Sequence, residues 1–368
     1  MAVMTQTQDI NRAVVYSEPP SLKTEIKEFP IPEPGPGEVL VRLQYSGVCH
    51  TDWGFCTNSY VGLPPTQAGQ VGGHEGVGTI VAHGPNVTSP SLDSPVGIKY
   101  SASACLSCTN CLQGGETTCT SPTEARVSGY TCPGTFQQYL LAPANYVTPI
   151  PATLPDLAAA APLMCGGVSV YTALKRAGVK QGDWVVVSGA GGGLGHLAVQ
   201  YARVMGARVL GVDDGRAGAG KEALVRGLGA EAFVDFTAYK GDDEALAARV
   251  KEITGGGAQI VLMCAASAKA YTSGLLWLGF RGRLCCLGIP EPEAEPALHA
   301  VVLAMIGLEL TIFALKSGNR LDTIEAVEIA ARHGIKTQYE LKKMENLTQI
   351  FEDMEVGKVN GRIVLDLR

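Results

Sequence analysis

The stretch SGAGGGLG, residues 188–195, decides the fold of this chain. The apolar run WVVV at 184–187 precedes it and predicts a buried parallel strand. A helical pattern follows at 196–205 and stops at a glycine. A second strand is expected at 208–212, and it ends in Asp213. The order is therefore strand, glycine turn, helix, strand and acid.

Each part of this pattern suits a bound dinucleotide. Glycines allow a tight turn and a close approach to a pyrophosphate, and the start of a helix offers free N–H groups to phosphates. An acid after the second strand can accept hydrogen bonds from the ribose hydroxyls of NAD. The alternative is a nucleotide-free doubly wound domain with a tight turn. The predicted cofactor-binding residues here are Gly189, Gly191, Gly192, Gly193, Leu194, Gly195 and Asp213.

Length and composition limit the remaining possibilities. A chain of 368 residues is long for one domain and sufficient for two. With 17% charged residues and a net charge of −6, neither a nucleic-acid nor a membrane-surface partner is expected. No apolar run is long enough to span a membrane, and the N-terminus lacks a signal-peptide pattern. The 11 cysteines, several of them clustered, indicate metal ligands or thiols in a reducing compartment, most simply the cytosol.

The texture of the chain changes near its middle. Residues 44–150 are rich in Gly, Pro, Thr and Ser with short β runs, which predicts an irregular, mostly β domain. After residue 180, strands and helices alternate, which predicts an α/β domain with a parallel sheet and helices on both faces. Elements expected there include a strand at 283–288 and an element at 299–306. Two helices and a closing strand at 362–367 are expected near the end.

Four cysteines form the strongest local signal. The spacing Cys105-x2-Cys108-x2-Cys111-x7-Cys119 can close a tetrahedral shell around a structural Zn²⁺. Such an ion would stabilise the segment 101–122, which has almost no apolar residues of its own. An iron–sulfur cluster or free thiols are the alternatives, although the usual cluster spacings differ.

A second set of possible ligands is scattered. Cys49 follows a strand and an expected turn at Ser46-Gly47, His74 lies in the glycine-rich loop 72–76, and Cys165 lies between the two regions. Two cysteines and one histidine suit a catalytic zinc with an open fourth position. Spacing alone carries little weight here, because His74 could be an ordinary loop histidine and Cys165 a small buried residue.

The chain resembles the zinc-dependent medium-chain alcohol dehydrogenases, most closely the tetrameric yeast and fungal branch. The stretches that carry the resemblance are GVCHTD (47–52), VGGHEG (71–76), the four-cysteine loop, SGY (128–130), GTFQQY (134–139), LMCGG (163–167), 188–205 and 361–362. The resemblance implies a GroES-like catalytic domain over 1–165, a Rossmann NAD-binding domain over 166–315 and a return to the catalytic domain over 316–368. It also implies two zinc ions per chain and a homo-oligomer, tetramer rather than dimer.

The resemblance also assigns roles to individual residues. It makes Cys49, His74 and Cys165 the ligands of the catalytic zinc, with Glu75 behind the metal as an occasional alternate ligand. Asp52 would orient the ligand histidine, and Thr51 would exchange a proton with the substrate oxygen. The residues implied at the coenzyme are His50 and Arg362 near the pyrophosphate, Asp213 favouring NAD over NADP, Lys221 near the adenosine ribose, and Ile289.

Departures from the family pattern bear on the substrate. Gly54 stands where many relatives have a histidine that ends a proton relay, so water or His50 would have to take part, or proton transfer would be slow. The segment 53–69 is about two residues longer than in the yeast pattern and offers Phe55, Tyr60 and Leu63 as pocket residues. Tyr100 and Ile289 replace a tryptophan and a methionine of yeast-type enzymes. These departures predict a substrate bulkier than ethanol.

The expected function is therefore hydride transfer between NAD(H) and a primary or secondary alcohol, or the corresponding aldehyde or ketone. One alternative is a biosynthetic reductase of a carbonyl or imine in specialised metabolism. Another, from a different class, is a zinc- and NAD-binding redox sensor with little catalysis. An open zinc position beside Thr51 argues against the sensor, because a protein that does not catalyse a reaction has no chemical need for it.

Overall fold

The computed structural model describes residues 10–60, 62–215, 220–290, 305–359 and 361–368. The chain divides into two compact units. The first unit extends to Cys165 and includes Asn319–Glu328 and Tyr339–Arg368, and the second consists of Gly166–Gly318 and Ile329–Gln338. Among the described residues no single helix is long and apolar enough to cross a membrane, and one bent helix pair meets that test only jointly.

The strands and helices have the following bounds. The strands are β1 (Ile10–Tyr16), β2 (Thr24–Pro30), β3 (Glu38–Val48), β4 (Glu75–His83), β5 (Pro95–Ile98), β6 (Ser101–Ser103), β7 (Arg126–Val127), β8 (Tyr139–Pro143), β9 (Thr148–Pro149), β10 (Trp184–Ser188), β11 (Arg208–Asp213), β12 (Ala232–Asp235), β13 (Ala258–Met263), β14 (Leu278–Cys286), β15 (Thr311–Ala314), β16 (Tyr339–Lys343) and β17 (Arg362–Asp366). The helices are α1 (His50–Cys56), α2 (Thr109–Leu112), α3 (Leu157–Ala160), α4 (Gly166–Ala177), α5 (Gly195–Val204), α6 (Gly220–Gly227), α7 (Asp243–Thr254), α8 (Ala268–Leu276), α9 (Arg320–His333) and α10 (Leu347–Glu355).

The second unit contains the predicted parallel sheet. Its six strands lie in the order β12-β11-β10-β13-β14-β15, and every neighbouring pair is parallel. All five residues of β10 are buried, as expected for a central strand covered on both faces. The strand order reverses between β11 and β13, on either side of β10, so the carboxyl ends of these strands form the crevice in which doubly wound sheets bind ligands.

The first unit is mostly β, as the sequence indicates. A seven-stranded sheet runs β16-β17-β3-β4-β5-β9, and β8 pairs with β3 beside this path. Its core includes Val41, Leu43, Ile80 and Phe136. Helix α10 contributes Leu347, Ile350 and Phe351, which are spaced to share one helical face. The last strand, β17, pairs antiparallel with β3 and joins the end of the chain to this sheet.

Three sequence expectations need correction or restriction. The turn expected at Ser46-Gly47 is wrong, because β3 continues to Val48 between β4 and β17. The strand expected at 283–288 begins earlier, at Leu278, where it pairs with Ala258 before a break in register. Of the element expected at 299–306, residues 299–304 lie outside the described part of the chain.

Candidate metal centre and nucleotide site

One carboxylate connects two of the proposed ligands of the catalytic zinc. Cys49 is the residue before α1, and its backbone N–H donates to Asp52 Oδ2 at 2.9 Å. The other oxygen, Oδ1, lies 2.8 Å from His74 Nδ1, and both side chains are fully buried. Asp52 accepts the Nδ1 proton, which leaves the lone pair of Nε2 free to bind a metal.

The atom His74 Nε2 is buried and has no hydrogen-bond partner among the described residues. An unpaired buried nitrogen costs free energy unless something binds it. The ligand atoms of Cys49, His74, Glu75 and Cys165 all lie within 4.8 Å of one another. Two thiols beside this imidazole nitrogen fit three ligands of a zinc ion that keeps a further position open.

Glycines permit the chain to bring these groups together. Gly73 has φ +92°, a conformation that favours glycine, and it directly precedes His74. A Cβ on Gly47 would lie 2.0 Å from Glu75 Oε2, so only glycine leaves room for this buried carboxylate beside β3. Cys165 arrives from another direction, at the end of the 3₁₀ turn Ala161–Met164.

The pKa values of these groups reflect their mutual contacts. A hydrogen bond with Cys165 lowers the pKa of Cys49 and raises that of Cys165. Burial opposes the protonated form of His74, but Asp52 and Cys49 together outweigh it and raise the pKa of the imidazole. Burial raises the pKa of Glu75 to about 7, against the attraction of Arg362. The cluster thus supplies a thiolate and proton-exchanging groups at one buried point.

Arg362 and His50, the two residues expected near a pyrophosphate, differ in burial and in their contacts. Arg362 is buried, and its guanidinium donates to Glu75. In this structure it therefore neutralises the carboxylate behind the cluster. His50 is exposed, and its ring stacks on Trp53 with centroids 4.7 Å apart. Thr51 follows on α1, and the ring of Tyr100 lies edge-on to His74 at 5.8 Å.

The four-cysteine loop forms a second, more exposed cluster. The sulfur atoms of Cys105, Cys108, Cys111 and Cys119 lie within 4.8 Å of one another, and only Cys111 is buried. Backbone N–H groups donate to these sulfurs, for example from Cys108 to Cys105 at 3.3 Å. Backbone N–H donors at Thr120 and Cys111 lower the pKa of Cys108 to about 5. Four converging sulfurs, with donors that favour thiolates, fit a closed tetrahedral zinc site.

In the second unit, the glycine turn lies at the carboxyl end of β10. Gly189 has φ +69°, and a Cβ on Gly195 would lie 2.0 Å from the Gly189 oxygen. Gly191 donates its N–H to Asp213 Oδ2 at 2.7 Å, and Lys221 Nζ lies 3.0 Å from Oδ1. Gly192, Gly193 and Leu194 complete the turn before α5, whereas Ile289 is 57% exposed beyond β14.

A cavity of about 410 Å³ opens beside this turn. Gly189 and Asp213 line it together with Phe236, Thr237 and Lys269, which were not predicted from the sequence. Phe236 and Thr237 directly follow β12, so the rule that ligands bind at the carboxyl ends of parallel strands could have found them. Lys269 lies at the start of α8, far along the chain, and no local pattern indicates it.

A doubly wound sheet with a nucleotide cavity and a unit with a buried Cys-His-Cys cluster define the class of metal- and nucleotide-dependent dehydrogenases. Family models described as "Alcohol dehydrogenase GroES-like domain" and "Zinc-binding dehydrogenase" match residues 35–152 and 193–332. Alcohol dehydrogenase 2 of Emericella nidulans is 49% identical over 364 residues, covering 97% of both chains. Alcohol dehydrogenase 1 of the same organism is 41% identical over 343 residues, covering 93% of both.

A solved structure gives the same result for the fold. Acetophenone reductase from Geotrichum candidum, in complex with NAD, matches with a TM-score of 0.80 and 26% identity, covering 98% of both chains. The chain belongs to the zinc-dependent medium-chain alcohol dehydrogenase family. It is a nicotinamide-dependent oxidoreductase of alcohols and their carbonyl products, which confirms the expected enzyme class.

Proposed function

We propose that this enzyme interconverts alcohols bulkier than ethanol with their aldehydes or ketones at a zinc ion held by Cys49, His74 and Cys165. The observation that carries the assignment is His74 Nε2, which is buried, oriented by Asp52 and without a hydrogen-bond partner among the described residues. It lies beside two cysteine sulfurs and 3.9 Å from Glu75 Oε1. Glu75, paired with Arg362 at the same point, would serve as an alternate ligand when substrate leaves.

The bound zinc supplies a Lewis acid that lowers the pKa of an alcohol. The protein supplies the remaining functions. Asp52 holds the imidazole of His74 in one tautomer, which keeps Nε2 directed at the metal. Thr51, two residues after Cys49, accepts the alcohol proton at Oγ. A bound coenzyme would supply the hydride acceptor, and the role of the protein is to hold the two reacting carbons in line and away from water.

We further propose that the coenzyme is NAD rather than NADP. The Asp213 carboxylate lines the nucleotide cavity and is fixed by Gly191 N–H and Lys221. A carboxylate in this position accepts hydrogen bonds from ribose hydroxyls and repels a 2′-phosphate. The glycine turn and the start of α5 would hold the pyrophosphate, with His50 and Arg362 as further candidates.

Two features support a substrate larger than ethanol. Tyr100 and Ile289 replace larger or longer side chains of yeast-type enzymes, and one solved relative bears the name of an aromatic ketone.

The four-cysteine loop would hold a second, structural zinc. We also propose a homotetramer, and the largely exposed edge strand β15 supports it as a surface for pairing. We propose a cytosolic location as well, because the six cysteines of the two proposed zinc sites must stay reduced to bind metal as thiolates.

The test combines metal analysis with initial rates. We expect about two zinc ions per chain and NADH oxidation that prefers aromatic or branched carbonyls over acetaldehyde. A matched pair of variants, Cys49→Ser and Cys132→Ser, should separate the site from other cysteines, since only the first should remove one zinc and the activity. Acetaldehyde as the best substrate by kcat/KM would contradict the proposed size, and one zinc per wild-type chain would contradict the proposed sites.

A further inference from the structure

The segment after α1 folds back over the helix and places a tyrosine where the family pattern has a histidine. Ser59 N–H donates to the Gly54 oxygen at 3.0 Å, which turns the chain back. The ring of Tyr60 then lies on Gly54. A Cβ at residue 54 would be 2.6 Å from ring atoms Cε2 and Cζ and 2.9 Å from the hydroxyl oxygen. This position of the Tyr60 ring therefore requires glycine at residue 54, because any larger residue would displace the ring.

Contacts on both sides hold Tyr60 in this position. Its ring meets Phe55 edge-on at 5.6 Å, and Phe55 stacks on Tyr130 at 4.5 Å. The Tyr130 hydroxyl donates to the Pro64 oxygen, and Thr66 N–H donates to Asn58 Oδ1 at 2.7 Å. The loop is thus fixed both before and after Tyr60, so the ring position is determined by packing.

The Tyr60 hydroxyl lies on the face of α1 that carries Thr51. Residues three apart are neighbours on a helix, so a group on Gly54 is adjacent to Thr51. A hydrogen bond joins the hydroxyls of Thr51 and Tyr60, in which either oxygen can be the donor, and Cys49 is among the charges that act on this phenol. Burial raises the pKa of Tyr60 far above its usual value, so the phenol remains neutral in any ordinary assay. His50 precedes Thr51, faces elsewhere and stacks on Trp53.

We propose that Tyr60 is the positioning residue that carries the substrate proton onward from Thr51. This proposal rests on the proposed function. When the alcohol O–H bond breaks, its proton binds Thr51 Oγ, the original Thr51 proton moves to Tyr60 Oη, and the original Tyr60 proton passes to water. Each hydroxyl accepts one proton and releases another, so neither changes its charge. The substrate is left as an alkoxide, and one hydrated proton is formed.

The test measures proton release without substrate oxidation. The holoenzyme with NAD⁺ is mixed with trifluoroethanol, an alcohol that ionises but resists oxidation, and a pH indicator follows proton release in a stopped-flow instrument. Tyr60→Phe keeps the ring and removes the hydroxyl. We expect release to slow by about tenfold or more, with the same number of protons released and unchanged zinc content. Imidazole in the buffer should restore the rate, which it could not do for a merely structural defect.

Two further variants serve as controls for Tyr60→Phe. Tyr130→Phe loosens the same loop and leaves the Tyr60 hydroxyl in place, so it should change KM without slowing proton release. Gly54→Ala retains every hydroxyl but displaces the Tyr60 ring, so it should slow release as Tyr60→Phe does. Wild-type rates of release in Tyr60→Phe would overturn the inference. If the wild-type protein itself released no proton, the proposed function would fail and the inference with it.

Discussion

The first unit contains two clusters of side chains that could hold a metal ion, and they differ in how the chain brings them together. Four cysteines between Cys105 and Cys119 meet within one loop, and three of them are partly exposed. Cys49, His74 and Cys165 come from the start of a helix, a glycine loop and the end of a 3₁₀ turn. The first cluster is supported by backbone N–H groups, and the second by the buried charges of Asp52, Glu75 and Arg362. Local chain geometry suffices for a closed structural site, whereas a reactive site needs tertiary structure to bury and orient its ligands.

The largest expected effect concerns activity. His74→Ala should lower kcat/KM by about 10³-fold or more, because Lewis-acid stabilisation of the developing charge is lost. The zinc content should fall from two to one per chain, with an unchanged circular dichroism spectrum. His83→Ala is the matched control, since His83 ends β4 and its ring nitrogen bonds to the Pro90 oxygen rather than to either cluster. Substantial activity in His74→Ala with a single zinc would contradict the assignment of the reactive site.

The second prediction concerns stability at the other cluster. Cys111→Ser should remove the structural zinc and lower the stability of the protein by several kcal/mol, which corresponds to a fall in Tm of about 10 °C. Because the reactive cluster is untouched, kcat per correctly folded chain should change by less than about twofold. Cys132→Ser, in which the cysteine lies outside both clusters, is the control. Equal stability of the Cys111→Ser and Cys132→Ser proteins would show that this loop needs no metal.

The third prediction concerns the buried support of the reactive cluster. Asp52→Asn retains the shape of the side chain but removes the charge that orients His74, so the affinity of this site for zinc should fall by about 10- to 100-fold. Competition with a chelator, followed separately for the two zinc ions, measures this change. Asp242→Asn changes an acid that caps α7 and should leave both affinities unaltered. If both zinc ions weakened together in Asp52→Asn, the two clusters would not be independent.

The same difference explains what could be predicted from the sequence. The four-cysteine spacing and the glycine turn are local, and so are the buried β-branched strands of the parallel sheet, so each could be read directly from residues close in sequence. The cluster of Cys49, His74 and Cys165, our proposed ligand set, could be predicted only through a family resemblance, because its geometry depends on pairing between distant strands. The pairing of β3 with β17 also explains the wrong turn at Ser46-Gly47.

Side-chain contacts that form only in the folded protein could not be predicted from the sequence. Arg362 near a pyrophosphate stays a prediction, whereas its contact with Glu75, 287 positions earlier, was not predicted. The position of Tyr60 over Gly54 depends on how a loop folds back onto α1, and no periodicity encodes that geometry. Both cases involve side chains whose partners are set by packing rather than by local conformation.

The dipeptide Lys99-Tyr100 connects the two clusters. Tyr100 lies edge-on to His74, whereas Lys99 is buried and donates to the Tyr146 oxygen, and the charge of Glu116 in the four-cysteine loop attracts it. Burial lowers the pKa of Lys99 to about 7, far below the usual value of about 10.4. The unfolded chain therefore binds more protons than the folded chain between these two values, and stability rises with pH across this window.

The last and smallest prediction follows from this rise of stability with pH. Below pH 7 the cost of a buried charge is fully present, and it is relieved as the pH rises toward 10. The difference in unfolding free energy between the wild type and Lys99→Met should therefore change in favour of the wild type by about 1 kcal/mol per pH unit from pH 7 to 9. Denaturant titrations at several pH values measure it, and Lys27→Met, at an exposed lysine, should show no such trend. Equal slopes for Lys99→Met and the wild type would mean that Lys99 reaches solvent when charged, and the region between the two clusters would then be open to water.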